Sequence, residues 1–295
     1  MRCHLLLGLI PVFLYAADLK IDHVTVAGTD VKTMQANLTA VGIPSVYGGP
    51  HTNKTTEMAL VSLPDGSYLE LMGVQAGAES RVEQHEWGKF LKANAGPCAW
   101  AVREKDLVAE VQRLRAVGIA VAAPVKSGRE RPDGVRLDWE TSDIGGGTRG
   151  TFFPFLIHDF TPRDQRAFPQ GKPGTRDFTG VTKVVIAVRN LEDGIARYRK
   201  AYGLPAPIKQ VDSAFGAQLA LLGGVPVILA QPLTQDSWLS QRLDRFGEAP
   251  CAFLLGARQP SKLRAASKSR WFGSEVSWFD ADKLGWHLGF EAAGR

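Results

Sequence analysis

The sequence contains few cysteines and no long apolar segment, and each absence excludes a class of protein. Three cysteines among 295 residues are too few for a small disulfide-stapled scaffold. Two of them, Cys98 and Cys251, occupy matching places in a repeated strand, which favours packing, and they neither require nor exclude a disulfide. No segment approaches the roughly 20 apolar residues of a membrane-spanning helix, so we expect no stable membrane insertion.

Charge of one sign is not concentrated anywhere in the chain. The 35 Lys and Arg residues against 30 Asp and Glu residues give a net charge of +5. The basic residues are scattered and do not alternate with aromatic residues, so we expect no nucleic-acid partner. The length of 295 residues favours two domains, and a hydrophobic content of 44% indicates a packed enzyme or binding protein. We interpret the basic balance as solvated surface with a mild attraction for anionic small molecules.

The amino terminus has the layout of a secretory signal peptide. Arg2 precedes an apolar run over residues 5–15, and two alanines come before Asp18. The third residue before either cleavage point is larger than this signal prefers. We predict that residues 1–17 are a signal peptide and that the protein is secreted or periplasmic. The alternative is a cytoplasmic protein whose start codon is set too far upstream.

A pattern of one strand, one helix and three strands recurs four times. It begins with "LKIDHVTVAGTD", continues through a helix with apolar residues on one face, and ends with "TEMALVSL" and "SYLELMG" around a Pro-Asp-Gly turn. The pattern returns at "PCAWAVRE", "VTKVVIAVRN" and "PCAFLLGA". A Pro- and Gly-rich stretch separates the second copy from the third. We therefore predict domains at residues 18–161 and 178–295 with a linker at 162–177.

These motifs resemble the vicinal oxygen chelate (VOC) superfamily. The resemblance rests on "DHVTVAG", "YLEL" and "GVTKVVIAVRNLED", and "YGGPH", "PDGSYLEL" and "RPDGVRLDW" have counterparts in glyoxalase-like domain proteins. It implies an α+β fold of two glyoxalase/dioxygenase-like domains, built from four βαβββ units with cupped mixed sheets. It also implies a metal-dependent lyase, isomerase or dioxygenase acting on a small organic substrate with vicinal oxygens, or a metal-free small-molecule-binding protein. Members often pair across sheet edges, so the resemblance allows a homodimer.

Strand alternation selects a candidate metal site in the first unit. Ile21, His23 and Thr25 are expected on one face of the first strand, and Glu70 is expected on the corresponding face of the fourth. By resemblance, His23 and Glu70 occupy the superfamily's ligand positions, and they suit Zn, Fe, Mn or Ni. Glu70 is also the candidate catalytic base, because an enediolate or catecholate mechanism requires a proton transfer.

The partner units do not complete this site. Ala99 and approximately Phe155 stand at the matching positions of the second unit, and neither side chain can bind a metal. In the third unit Lys183 and Ile228 stand there, so we expect the second domain, which is degenerate, to be structural or to form a wall of the cavity. The third ligand is left open among three residues: His51, Glu57 and His158.

Four further residues are candidate substrate contacts. His51 lies in a loop, where binding residues are common. Trp100 and Trp139 are expected in the core or in the wall of the cavity. Arg149 follows a glycine-rich turn and could contact a substrate carboxylate.

Overall fold

The computed structural model describes residues 19–294. Within that range, sixteen strands form two eight-stranded sheets. The first sheet contains β1 (Lys20–Ala27), β2 (Val46–Pro50), β3 (Thr56–Ser62), β4 (Tyr68–Val74), β5 (Gly96–Arg103), β6 (Val125–Glu130), β7 (Arg136–Asp143) and β8 (Phe155–Asp159). The second contains β9 (Phe178–Ala187), β10 (Ile208–Asp212), β11 (Ala217–Leu222), β12 (Val227–Pro232), β13 (Ala249–Ala257), β14 (Ser267–Trp271), β15 (Ser274–Trp278) and β16 (His287–Ala292). The helices are α1 (Val31–Ala40), α2 (Gly88–Lys92), α3 (Leu107–Ala116), α4 (Arg163–Ala167), α5 (Leu191–Tyr202), α6 (Trp238–Phe246) and α7 (Ala281–Leu284).

The two sheets have the same strand order. The first runs β2-β3-β4-β1-β5-β8-β7-β6, and the second runs β10-β11-β12-β9-β13-β16-β15-β14. In the first sheet, β1 is parallel to β4 and antiparallel to β5. Each half of a sheet is therefore one βαβββ unit, and the prediction of an α+β fold with four such units is confirmed.

The same capping chemistry starts the helix of each of the first three units. The side chains of Asp30, Asp106 and Asn190 each accept a hydrogen bond from the backbone N–H three residues later. This bond satisfies one of the donors left free at a helix amino terminus. In the fourth unit a short 3-10 turn, Pro260–Lys262, replaces the helix.

A β-bulge in β1 changes which side chains face the site. Ile21 pairs with Val102 of β5 and His23 pairs with the next residue, Ala101, so Asp22 is an extra residue in β1. Ile21 consequently turns to the opposite face and packs in the core beneath the helices. The prediction that Ile21 shares a face with His23 is wrong, because simple alternation fails across a bulge.

Apolar side chains fill the second sheet where the first sheet has an open cavity. Val185 and Ile228 occupy the paired positions that Thr25 and Glu70 occupy in the first sheet. Both belong to a buried cluster with Phe215 and with side chains of α6 and of two strands, namely Leu239, Leu243, Trp271 and Trp278. This packing explains why the second domain lacks a polar site at the matching place.

Three further predictions concern the environment of the chain. No helix within residues 19–294 has both the length and the apolar character needed to cross a membrane. Cys98 and Cys251 are buried and free. The predicted signal peptide, residues 1–17, lies outside the described residues.

Candidate functional site

A cavity of about 390 Å³ opens on the concave side of the first sheet. Strands from both halves of the sheet contribute side chains to it, so each unit supplies part of the wall. Of the residues described after Arg166, which end at 294, none lines it, so the described part of the second domain does not form a wall of this cavity. Its polar and charged lining includes His23, His51, Asn53, Glu70, His85, Glu86, Lys126, Arg129, Asp143, Arg149 and Arg166, and its larger apolar lining includes Met58, Tyr68, Met72, Trp87, Trp139 and Phe155.

Glu70 lies between two histidines in the wall of this cavity. The pairing of β1 with β4 sets Thr25 directly opposite Glu70, and the Thr25 hydroxyl donates to Glu70 Oε2 at 3.2 Å. His23 Nε2 is 3.9 Å from Oε2, and His51 Nε2 is 3.6 Å from Oε1. Each carboxylate oxygen therefore faces one imidazole nitrogen.

The surroundings of Glu70 keep its carboxyl group ionised. Burial by itself would raise the pKa of Glu70, but the polar contact with His51 and the charges of both histidines outweigh burial. Together with the Thr25 hydrogen bond, they lower the pKa to about 2. Glu70 is therefore an anion at neutral pH and presents acceptor oxygens to the cavity.

The Nδ1 atom of His23 contacts a buried carboxylate that the sequence did not reveal. Asp22 Oδ1 lies 2.6 Å from His23 Nδ1, a contact that the β-bulge permits. The imidazole also stacks on Tyr68, with ring centroids 4.9 Å apart. Because Nδ1 is occupied by Asp22, Nε2 is the ring nitrogen that faces Glu70 and the cavity.

Two arginines of α4 fix Asp22 in turn. Arg166 donates to both Asp22 oxygens at 2.9 Å and also binds Asp159. Arg163 donates to Asp22 as well. Both arginines lie in the segment 162–177 that was predicted as a linker, so this segment also supports the site. The sequence signal was the spacing of three between them, which places both on one side of a short helix.

Of the three residues left open as a further ligand, the structure brings only His51 to Glu70. Its Nδ1 lies 2.8 Å from the Thr56 hydroxyl, which orients Nε2 towards Glu70. Glu57 accepts a hydrogen bond from Tyr47, and His158 Nδ1 lies 2.9 Å from a backbone carbonyl oxygen. Neither Glu57 nor His158 lines the cavity.

Of the four predicted substrate contacts, three line the cavity and one does not. Trp139 and Arg149 line the cavity, and the Arg149 guanidinium lies 4.0 Å above the centre of the Phe155 ring. Trp100 does not reach the cavity. It pairs with Val24, whose face packs beneath the helices, and it is fully buried there.

Comparison with known proteins agrees with this architecture. The family model of the glyoxalase-like domain matches residues 21–183, more than half of the chain. The chain belongs to the glyoxalase-like domain family. A search of curated proteins found no match.

One solved structure has the fold of this glyoxalase-like protein over nearly the whole chain. A hypothetical protein from Staphylococcus aureus is 15% identical with a TM-score of 0.63, and the match covers 93% of this chain and 99% of that one. Methylmalonyl-CoA epimerase from Mycobacterium tuberculosis is 20% identical with a TM-score of 0.35, over 42% of this chain and 94% of that one. A Streptomyces coelicolor methylmalonyl-CoA epimerase variant in complex with 2-nitronate-propionyl-CoA is 19% identical with a TM-score of 0.33, over 40% and 99%.

The donor types at the glyoxalase-like site suit a divalent metal. Two imidazole nitrogens and a carboxylate are a ligand set that Zn, Fe, Mn and Ni accept. Within residues 19–294, however, no three His, Cys, Asp or Glu side chains are grouped so that they could hold a metal ion. The two separations from Glu70, 3.9 Å to His23 Nε2 and 3.6 Å to His51 Nε2, are nevertheless separations that two ligands of one metal can have, since each metal–ligand bond is about 2 Å.

Proposed function

We propose that this glyoxalase-like protein is an enzyme that moves a proton on a small organic substrate with vicinal oxygens. One observation carries the proposal. Two imidazole Nε2 atoms, of His23 and His51, lie 3.9 and 3.6 Å from the two oxygens of one buried carboxylate, Glu70, in the wall of a cavity of about 390 Å³. This arrangement supplies a proton acceptor and a proton donor to the same substrate atom or to neighbouring atoms.

Each group has a separate role in this proposal. His23, oriented by Asp22, accepts a proton from a carbon or hydroxyl next to a carbonyl, because its Nε2 is the free nitrogen. His51 stabilises the resulting enolate oxygen by donating from its own Nε2. Glu70 stays ionised and orients both rings. Isomerisation through an enolate requires only such proton transfers, and a lyase reaction can begin with one before its leaving group departs, so we favour both over dioxygenase chemistry.

A divalent metal is not needed for any step of this proposal. If the protein takes one, His23, His51 and Glu70 are the residues that would bind it, and it would supply Lewis-acid stabilisation of an enediolate or catecholate.

Exchange of substrate hydrogen for solvent deuterium tests the proposal. The full chain is incubated in D₂O with a panel of 2-oxoaldehydes, α-hydroxyketones and α-hydroxyacids, and incorporation is followed by NMR with EDTA or with added Zn, Fe, Mn or Ni. We expect exchange that Glu70→Gln and His23→Ala each reduce at least about 100-fold, the usual contribution of general acid–base catalysis. Glu57→Gln is the matched control, because Glu57 lies outside the cavity.

Two results would contradict the proposal: no exchange by the wild-type protein under any metal condition, or exchange that both site variants retain. A second candidate function is metal-free binding of a small molecule, which is favoured by the aromatic side chains in the wall of the cavity, among them Tyr68, Trp139 and Phe155. Saturable binding of a panel member without exchange would select this second function.

A further inference from the structure

Arg129 is a buried cation in the wall of the cavity. Its side chain is 4% exposed. It lies on β6, the edge strand at the opposite end of the first sheet from β2. Its single hydrogen bond to the described residues runs from Nη1 to the carbonyl oxygen of Gly48 at 3.0 Å. A guanidinium has five N–H donors, so most of its donors have no protein acceptor among residues 19–294.

The other arginines of this cavity each have a carboxylate partner. Arg149 lies 3.2 Å from Asp143, and Arg166 forms close ion pairs with Asp22 and Asp159. Arg129 has no ion pair with a carboxylate anywhere in the described chain. A buried charge without a counter-ion is costly, so proteins normally pair it or use it to bind a ligand.

The Arg129 guanidinium is held by its hydrogen bond to Gly48 and faces the cavity. Gly48 belongs to β2 and Arg129 to β6, so the hydrogen bond joins the two edge strands of the first sheet. Next to this bond, Pro132 lies against Gly49. A guanidinium fixed in this way keeps its planar fork available for two-point binding of a carboxylate. Glu70 lines the same cavity, so one small molecule can reach both groups.

We propose that Arg129 anchors a carboxylate subsite and that the natural ligand is a small organic carboxylate. Its carboxylate would bind Arg129, while its vicinal oxygens would face His23, His51 and Glu70. The second half of this assignment rests on the proposed function, whereas the carboxylate subsite does not. The chemistry of the subsite is an oxyanion held by a buried guanidinium fork, with Trp139 in the adjoining wall.

Acetate is the probe, because it is a small carboxylate with a neutral isostere, acetamide. Each is titrated into the full chain at constant ionic strength set with NaCl, and backbone-amide NMR shifts of β6 and β7 are followed. We expect saturable shifts with acetate and none with acetamide. Arg129→Gln should weaken acetate binding about 10-fold or more, the equivalent of one charge-assisted hydrogen bond. Arg136→Gln, an exposed arginine on the same hairpin, should bind acetate like the wild type.

Several results would overturn the subsite. They are equal responses to acetate and acetamide, no saturation with acetate up to about 100 mM, and unchanged acetate binding in Arg129→Gln. Tighter binding of inorganic phosphate than of acetate would assign the subsite to phosphate and overturn the carboxylate class. The acetate and acetamide comparison uses the wild-type protein, so it decides the matter even where Arg129→Gln fails to fold.

Glu70→Gln separates this inference from the proposed function. Acetate binding should persist in Glu70→Gln, because the subsite depends on Arg129 and not on Glu70. Loss of deuterium exchange with retained acetate binding supports both proposals. Acetate binding by a wild-type protein that shows no exchange retains the subsite and rejects the enzyme.

Discussion

Replacing Asp22 with Asn should destabilise the fold more than any exposed charge change, although the two side chains have nearly the same shape. Asp22 is completely buried and accepts hydrogen bonds from Arg163 and Arg166 as well as contacting His23. An amide keeps the volume but removes the negative charge and one acceptor oxygen. The buried Arg166 then keeps Asp159 as its remaining carboxylate partner.

The expected loss is about 3–5 kcal/mol in the free energy of unfolding at pH 7, the range found when one partner of a buried ion pair is removed. The lower half of the range is favoured because Asp159 still compensates Arg166. The exposed pair Arg136–Asp138 offers a comparison on the same sheet. Asp138→Asn should cost less than about 1 kcal/mol, because exposed ion pairs are screened by water.

The loss should depend on pH in a definite direction. Burial alone would raise the pKa of Asp22, but the charge of Arg166, the His23 contact and the charge of Arg163 lower it well below its ordinary value. A carboxyl group whose pKa is lower in the folded state than in the unfolded state stabilises the fold at pH values above its unfolded-state pKa. This stabilisation is lost as the pH falls through the folded-state pKa. The difference between wild type and Asp22→Asn should therefore be constant from pH 7 to about pH 5 and shrink below about pH 4.

Urea unfolding of wild type, Asp22→Asn and Asp138→Asn at several pH values measures these differences. Fluorescence and circular dichroism should report coincident transitions if the comparison is to be made by a two-state analysis. An Asp22→Asn loss no larger than that of Asp138→Asn would refute the role given to the buried pair. A difference that grows as the pH falls would refute the sign of the linkage.

Two further changes test the site and the packing between the sheets. Thr25→Val should raise the pKa of Glu70 from about 2, because the 3.2 Å hydrogen bond from the Thr25 hydroxyl to the carboxylate is lost. Carbon-13 NMR titration of the Glu70 carboxyl measures this pKa, and Thr141→Val is the control. An unchanged pKa in Thr25→Val would contradict the role given to this hydrogen bond. Gly96→Ala should cost about 2–4 kcal/mol in urea unfolding, since φ is +69° and an added Cβ would lie 2.4 Å from Trp286. Gly77→Ala, with φ +74° and open space around it, should cost only about 1 kcal/mol; equal losses would show that Trp286 is not the obstacle.

The fold could be predicted from the sequence because its evidence is local and repeated. Each of the first three units places an Asp or Asn cap immediately after a strand, as at Asp30, and the helical face that follows has apolar residues at regular spacing. Glu70 could be placed for the same reason, since β4 alternates without interruption. Local chemistry therefore identified the strand that opens each unit, the helices of the first three units and one side of the cavity.

The support of His23 could not be predicted, because it depends on a bulge and on a distant segment. Simple strand alternation places Asp22 on the wrong face of β1, because the sequence does not show that β1 has an extra residue relative to β5. Arg166 lies 144 positions from Asp22, within a stretch whose composition is that of a linker. Register shifts and contacts across such distances are set by the tertiary packing of the whole sheet.

The sequence left His23 and Glu70 without matching ligands in the second unit, and the structure shows what occupies that half of the cavity. The register pairs Ala101 with Phe155 just as it pairs Thr25 with Glu70. The Phe155 and His23 rings pack edge to face with their centroids 5.3 Å apart. The Arg149 guanidinium lies 4.0 Å from the centre of the Phe155 ring. Where a symmetric site would have a second carboxylate, this protein therefore has an aromatic wall covered by a cation. Such a wall supplies no metal ligand, and it offers an organic ligand the apolar face of Phe155 beside the Arg149–Asp143 ion pair, because the guanidinium that lies over the ring is already compensated.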